Sequence, residues 1–402
     1  MGLKSYPRPY FDLVIAAFAL VMSMSLPSAF LPIFARQLNP SEFLVGLVSS
    51  SWFISRLFTE LPSGILADRF GRCRLLMVGV ATSAVGAFVC SMANIIYVLI
   101  LGWALWGLGT GLFFICSSTI IFDLFGSSMR GRALGTFHAL EFIGSLIGAP
   151  IGSFMVGVTD YKGVFLAASF LLVFSFLVAF LSKSLHKTDT KNAEITSELY
   201  LKKVLPSRKN WNLTVGYIDS LSRMLIWAGL NGTFFPLFAN LELGISVGLI
   251  GLIVGMRTVG IVVATAMSGH LSDKFGRKPV AIIGMMLEVG SLYAHMYALT
   301  FEALMPIALI EGLGLGMILT SMMVLLSEVA PIKYRGGAVG MDRTFMDLGG
   351  LLGPLLFMAI YELYGSYYAF LSGIIIFLIN VAMMLTVRLP KATKDDESVH
   401  DI

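Results

Sequence analysis

Long apolar runs separated by short polar ones set the first expectation for this chain. A helix needs about 20 predominantly apolar residues to cross roughly 30 Å of hydrocarbon. Runs of that length predict helices 1 to 6 near residues 12–35, 42–66, 75–93, 95–122, 134–158 and 164–182. They predict helices 7 to 12 near 212–238, 246–270, 279–300, 303–326, 337–361 and 366–387. The longest hydrophilic stretch, 183–210, falls between the sixth and seventh helices and reads as a linker. The expected organisation is a six-helix half over 1–182, the linker, and a second six-helix half over 211–402 with a short polar tail. The first run follows Lys4 and Arg8, is longer than a signal-peptide core and lacks a small-residue cleavage pattern, so it reads as an uncleaved span.

Composition agrees with the pattern. Of 402 residues 57% are hydrophobic and 13% charged, against about 25% charged in soluble domains, so most of the outer surface is expected to face lipid. The sign of the charge sets the orientation. Of 28 Lys and Arg residues, 22 fall in segments on the side of the two termini, two (Arg36 and Lys162) on the opposite side, and four within spans. The positive-inside rule then puts both termini in the cytoplasm of a multi-pass protein of the cell (plasma) membrane.

Several functional classes drop out. Cys73, Cys90 and Cys116 show no metal-ligand spacing, so neither a metal site nor a disulfide framework is expected. H-E-x-x-H, G-x-S-x-G and phosphate-binding glycine loops are absent, and Gly107-x-Gly109-x-Gly111 lies inside an apolar span, where it reads as a packing face. The expectation is a protein that is not an enzyme, uses no cofactor and binds no nucleic acid.

The two halves repeat. Gly64-x3-Asp68-Arg69-x-Gly71-Arg72 aligns with Gly269-x3-Asp273-Lys274-x-Gly276-Arg277 at an offset of 205. At that offset Asp123 and Arg130 match Glu328 and Arg335, and eleven glycines fall on glycines, among them Gly107, Gly109 and Gly111 on Gly312, Gly314 and Gly316. Chance gives roughly two such coincidences, so the halves are self-similar. Six helices separate equivalent points, so the repeats run parallel, and a substrate site is expected between them near the midplane.

At these residues the chain resembles the major facilitator superfamily. The loop between its second and third helices reads G-x-x-x-D-R-x-G-R-[RK], and an acid-x6-Arg element ends the fourth and tenth helices; both halves here carry both. The resemblance implies an all-α membrane protein of twelve transmembrane helices in two pseudo-symmetric halves, the major facilitator fold, working as a monomer on a small-molecule substrate. Physically, Gly64 and Gly269 permit close helix approach and Gly71 and Gly276 a tight turn. Asp68, Arg69, Arg72, Asp123 and Arg130, with Asp273, Lys274, Arg277, Glu328 and Arg335, supply ion pairs that would latch the cytoplasmic side as a gate.

Charges inside spans are costly and usually face protein or a watery cavity. Helix 2 carries Arg56 and Glu60, helix 5 Glu141 near His138, helix 7 Asp219 and Arg223, helix 8 Arg257, helix 10 Glu311, and helix 11 Asp342, Arg343 and Asp347. In the superfamily these helices surround the cavity. Glu288 on helix 9 is the exception, because helices 3, 6, 9 and 12 there lie outside. Asp219, Glu141 and Asp347 are the candidates for proton coupling, since a carboxylate can change partner or hydration between states. Arg56, Arg223, Arg257, Arg343, Glu311, Asn231 and Trp103 are candidates for substrate contact or counter-charge.

The motifs lean towards the twelve-span drug:proton antiporters. Gly144-x3-Gly148-Ala149-Pro150-x-Gly152 on helix 5 is similar to their G-x-x-x-G-P-x-x-G-G pattern, and helix 11 has Gly349-x3-Gly353-Pro354. The departures are an inserted alanine, a missing glycine pair, Trp103 where that family carries an arginine, and Ser23 and Ser25 on helix 1 in place of an acid. A single Gln, few intramembrane Asn and 22 Met argue against a sugar site and for lipophilic substrates. The expectation is a secondary active transporter exporting lipophilic or amphipathic compounds in exchange for protons. The alternative is a carrier of small organic anions held by the intramembrane arginines. A non-transporting sensor or a lipid scramblase is the reading from another class.

Overall fold

The glycines that define the repeat are where the helices touch. A computed structural model describes residues 6–125, 127–187, 210–329 and 335–387; the side chains of 60–69, 127, 128, 130, 131, 273, 327 and 335–337 lie outside the described set. Every described element is helical. Among the described residues, nine stretches are long and apolar enough to cross a bilayer, and one of them, Arg132–Leu181, is long enough to cross twice. With Glu42–Phe70 and Arg277–His295 this makes twelve spans.

The observed spans refine the expected ones. Helix 1 is broken into Arg8–Ser25 and Leu31–Leu38; Pro27 and Pro32, which lack an amide hydrogen, bracket the turn. Helices 2, 3 and 4 are Glu42–Phe70, Arg72–Ser91 and Ile96–Leu124. Helices 5 and 6 fill Ser127–Leu181 and are separated at Asp160, whose φ is 72°. The Asp160 carboxylate accepts the Gly163 amide at 2.8 Å and caps helix 6. Helices 7 to 12 are Trp211–Glu242, Val247–Phe275, Arg277–His295, Phe301–Val329, Arg335–Tyr364 and Ser366–Thr386. The turn between helices 11 and 12 sits at Gly365 (φ 88°), 205 residues after Asp160, and the turns at Gly71 (φ 93°) and Gly276 (φ 88°) keep the same offset. The repeat therefore extends to the left-handed backbone positions.

Each half packs alike. Helix 4 lies on helices 2 and 3, and helix 3 on helix 6; helix 10 lies on 8 and 9, and helix 9 on 12. Gly144 and Gly148 set helix 5 against Phe18 and Met22 of helix 1, and Gly349 and Gly353 set helix 11 against Leu221 and Leu225 of helix 7. Without side chains at these positions backbones approach closely, the main source of helix association in lipid. A Cβ at Gly148 would lie 2.7 Å from the Met22 carbonyl oxygen, and one at Gly107 2.6 Å from that of Trp52. Between the halves helix 5 meets helix 8 and helix 2 meets helix 11.

These contacts predict which glycines matter. Gly148→Leu and Gly353→Leu should each destabilise the protein by about 1–3 kcal/mol through overpacking. Gly157→Leu and Gly290→Leu, where a Cβ meets nothing within 4 Å, should leave the melting temperature of the purified protein in detergent unchanged.

Candidate functional site

Charged residues near the middle of helices 2, 5, 7 and 11 form the polar zone between the halves. Arg56 of helix 2 lies 3.5 Å from the Asp347 carboxylate of helix 11, an ion pair that joins the two halves. Asp347 is buried, while Arg56 keeps 21% of its side chain exposed. On helix 7 Arg223 lies 3.4 Å from Asp219, one turn away, and donates to the Ser220 hydroxyl at 3.1 Å. Ser220 in turn donates to Asp342 of helix 11. The Glu141 carboxylate lies 2.7 Å from Nδ1 of His138, one turn earlier on helix 5. Arg257 of helix 8 lies 2.9 Å from Glu311 of helix 10 within the second half.

The structure thus joins Arg56 to Asp347, Asp219 to Arg223, and Arg257 to Glu311. Arg343 is half-buried beside Asp342. Trp103 stands apart, in an aromatic cluster of the first half with ring centroids 4.8 Å from Trp52, 5.2 Å from Trp106 and 6.5 Å from Phe165. Asn231 is buried, and neither atom of its side-chain amide has a hydrogen-bond partner.

One feature was missed from the sequence, and a second was noted there but set at the periphery. Helix 7 adopts π geometry over Ile226–Phe234 and Phe238–Glu242, a widened turn that frequently marks function and that carries Asn231. Glu288, expected at the periphery, is fully buried and faces Gly314 of helix 10. The physical reason is that Gly314 leaves room for its carboxylate on the inner side of helix 9.

Among the described residues, the close contacts between the halves lie on one side. Gly46 and Phe53 of helix 2 meet Pro354 and Gly350 of helix 11, and Gly251 and Gly255 of helix 8 meet Ser153 and Pro150 of helix 5. The Ser50 hydroxyl donates to the Leu351 carbonyl at 2.7 Å. All of these lie beyond the midplane from the termini. Towards the termini, a Cβ at Gly135, Gly269 or Gly340 would meet nothing within 4 Å. Among the described residues, the halves are in contact on the far side.

The loop motifs form ion pairs within each half. Arg72 pairs with Asp123, and Arg277 with Glu328 at 3.0 Å, the same pair at the repeat offset. Lys274 lies over the Phe275 ring. Gly64 and the side chains of Asp68, Arg69, Arg130, Asp273 and Arg335 lie outside the described residues, as does 188–209 of the linker.

A helical bundle of two such halves, with ion pairs near the midplane, is the architecture of a secondary transporter. The profile of the Major Facilitator Superfamily matches residues 13–229 and again 217–401, and the chain belongs to that family. It is a membrane transporter of small molecules, not an enzyme. It is 26% identical over 373 residues to the multidrug resistance protein MdtG of Salmonella paratyphi C, covering 90% of each chain. It is 22% identical over 370 residues to an uncharacterised MFS-type transporter of Methanocaldococcus jannaschii, covering 88% of this chain and 92% of that one. In fold it is similar to a bacterial homologue of the human lysosomal transporter Spinster, solved inward-facing and unoccupied. The TM-score is 0.75, at 13% identity, over 94% of this chain and 95% of that one.

Two predictions follow from the pairs. A double-mutant cycle of Arg56→Gln and Asp347→Asn, read by thermal unfolding, should give a coupling of about 0.5–3 kcal/mol, because the two groups interact directly. Asp123→Asn and Glu328→Gln should each lower turnover several-fold while leaving membrane insertion intact, since an interfacial pair contributes about 1 kcal/mol; unchanged turnover would remove the latch role.

Proposed function

We propose that this protein is a proton-coupled exporter of lipophilic or amphipathic small molecules in the plasma membrane, working as a monomer by alternating access. The Arg56–Asp347 pair is the observation that carries the reading. It joins the halves at mid-depth, so a proton on the carboxylate or a charged substrate at the guanidinium acts on the contact that must part. With the termini in the cytoplasm, the closed far side is the external one. The resemblance to proteins named for multidrug resistance over nine-tenths of the chain supports export of drug-like compounds. Asp219, beside Arg223, and Glu141, beside His138, are the further coupling groups. The partly exposed Arg56 and Arg343 favour one second reading, a carrier of small organic anions.

Proteoliposomes under an imposed pH gradient separate these readings. A lipophilic cation should move against the proton gradient, and Asp219→Asn should slow it by about tenfold or more, roughly 1.4 kcal/mol of barrier. Movement of a small carboxylate alone would replace export of lipophilic compounds with the organic-anion reading.

A further inference from the structure

The repeat offset pairs Trp52 with Arg257, Ser83 with Glu288, Cys90 with His295, and Trp106 with Glu311. The pairing holds in space. Gly109 faces Gly79 and Ser83 on helix 3 as Gly314 faces Gly284 and Glu288 on helix 9. Trp52 meets Trp106 with ring centroids 6.0 Å apart, where Arg257 meets Glu311 at 2.9 Å. All eight residues are buried. One half closes these positions with two indoles, a hydroxyl and a thiol; the other uses a guanidinium, two carboxyls and an imidazole. The first half is therefore an internal control: the architecture packs without charge there. Buried ions cost several kcal/mol each, so packing does not account for the second set.

Its charges do not balance. Arg257 offsets Glu311. His295 Nδ1 lies 2.8 Å from the Ser291 carbonyl oxygen, which only accepts, so Nδ1 carries its hydrogen. The other ring nitrogen, Nε2, lies 3.9 Å from Glu311 and is the one free to titrate. Neither Glu288 carboxyl oxygen accepts a well-aligned hydrogen bond, the Leu315 amide of helix 10 being the polar backbone group beside them, and Oε1 fills the space left by Gly314. Glu288 is close enough to Glu311 and Arg257 to feel their charge. Among the described residues, no neighbouring helix supplies another cation to this cluster. Helix 7 contributes Phe235, under the Arg257 guanidinium at 5.2 Å. Helix 12 contributes Phe370, stacked on His295, and has no Asp, Glu, Lys, Arg or His over 366–386. Two carboxyls thus share one permanent cation, and in a dry interior that deficit is met by a proton.

We propose that Glu288, Glu311, Arg257 and His295 form a proton-binding site inside the second half, with the proton on the Glu288 carboxyl. The site is separate from the zone between the halves. Arg257 stands two residues beyond Gly255, which packs on Pro150 of helix 5, so proton occupancy bears on the closed contact. That consequence rests on the proton-coupled reading above; the bound proton does not.

Infrared spectroscopy of the full chain in lipid bilayers tests the site through the carbonyl stretch of a protonated carboxyl. The wild type should show such a band, one that persists in Asp219→Asn, Glu141→Gln and Asp347→Asn, which alter the coupling groups named above, and weakens as pH rises. Glu288→Gln should remove it, as should Glu288→Ser, which installs the residue of the first half. Glu311→Gln should remove it too, because Arg257 then balances Glu288, and Arg257→Gln should double it. Absence of the band in the wild type, or its persistence in both Glu288 variants, overturns the proposal. A failed Asp219→Asn transport test leaves the band unaffected, so the two readings fall separately.

Discussion

Backbone-to-backbone contact through glycine is the constraint on which this structure depends. In a bilayer, helices gain little by leaving lipid for one another, so close packing must hold them together. Gly148 against Met22, Gly353 against Leu225, Gly107 against Trp52 and Gly312 against Arg257 set the distance and rotation of each pair. Side-chain chemistry follows from that rotation. Because Gly349 and Gly353 seat helix 11 on helix 7, Asp342 comes within reach of Ser220, and Gly350 and Pro354 are left to face helix 2. Because Gly314 meets Gly284, the carboxylate of Glu288 has nowhere to go but the interior.

Much of this was legible in the sequence, and the limits have physical causes. Spans show because lipid demands continuous apolar length, and the repeat because glycine cannot be exchanged where backbones touch. The spacing of Asp219 and Arg223 placed them on one helix face, where they meet. Arg56 and Asp347 are 291 residues apart, and no local pattern announces their pair. The pairing of Arg72 with Asp123 was half visible, since Arg277 and Glu328 repeat it. The break in helix 1 was signalled by Pro27 and Pro32 but hidden by unbroken hydrophobicity. The π geometry of helix 7 left no distinctive residue pattern. Glu288 was noted but set aside as peripheral, because helix 9 lies outside in the superfamily and the repeat was traced through glycines; traced through polar residues, it falls opposite Ser83.

The halves agree in backbone and differ in what they bury. The first half is sealed by indoles; among its helix carboxylates with described side chains, Asp12 and Glu42 sit at the ends of helices 1 and 2, and Glu141, near mid-depth, lies beside His138. The second half carries the Asp219–Arg223 and Arg257–Glu311 pairs and Glu288. Duplication gave both the same frame, and the ionisable groups concentrate in one copy. Division of labour between a mostly neutral half and a titratable half is a physical consequence, because work by a proton is done where its charge is felt.

The seal between the halves has a further property in its chemistry. Gly46 abuts a carbonyl, Ser50 donates to one, and Gly251 rests on the Ser153 hydroxyl. When these surfaces part, much of what water meets is amide and hydroxyl, each hydrogen bond exchanged at a net cost of about 1 kcal/mol. A joint of this kind is held by the close fit of small residues and amides, so its opening exchanges hydrogen bonds with water as well as apolar contact.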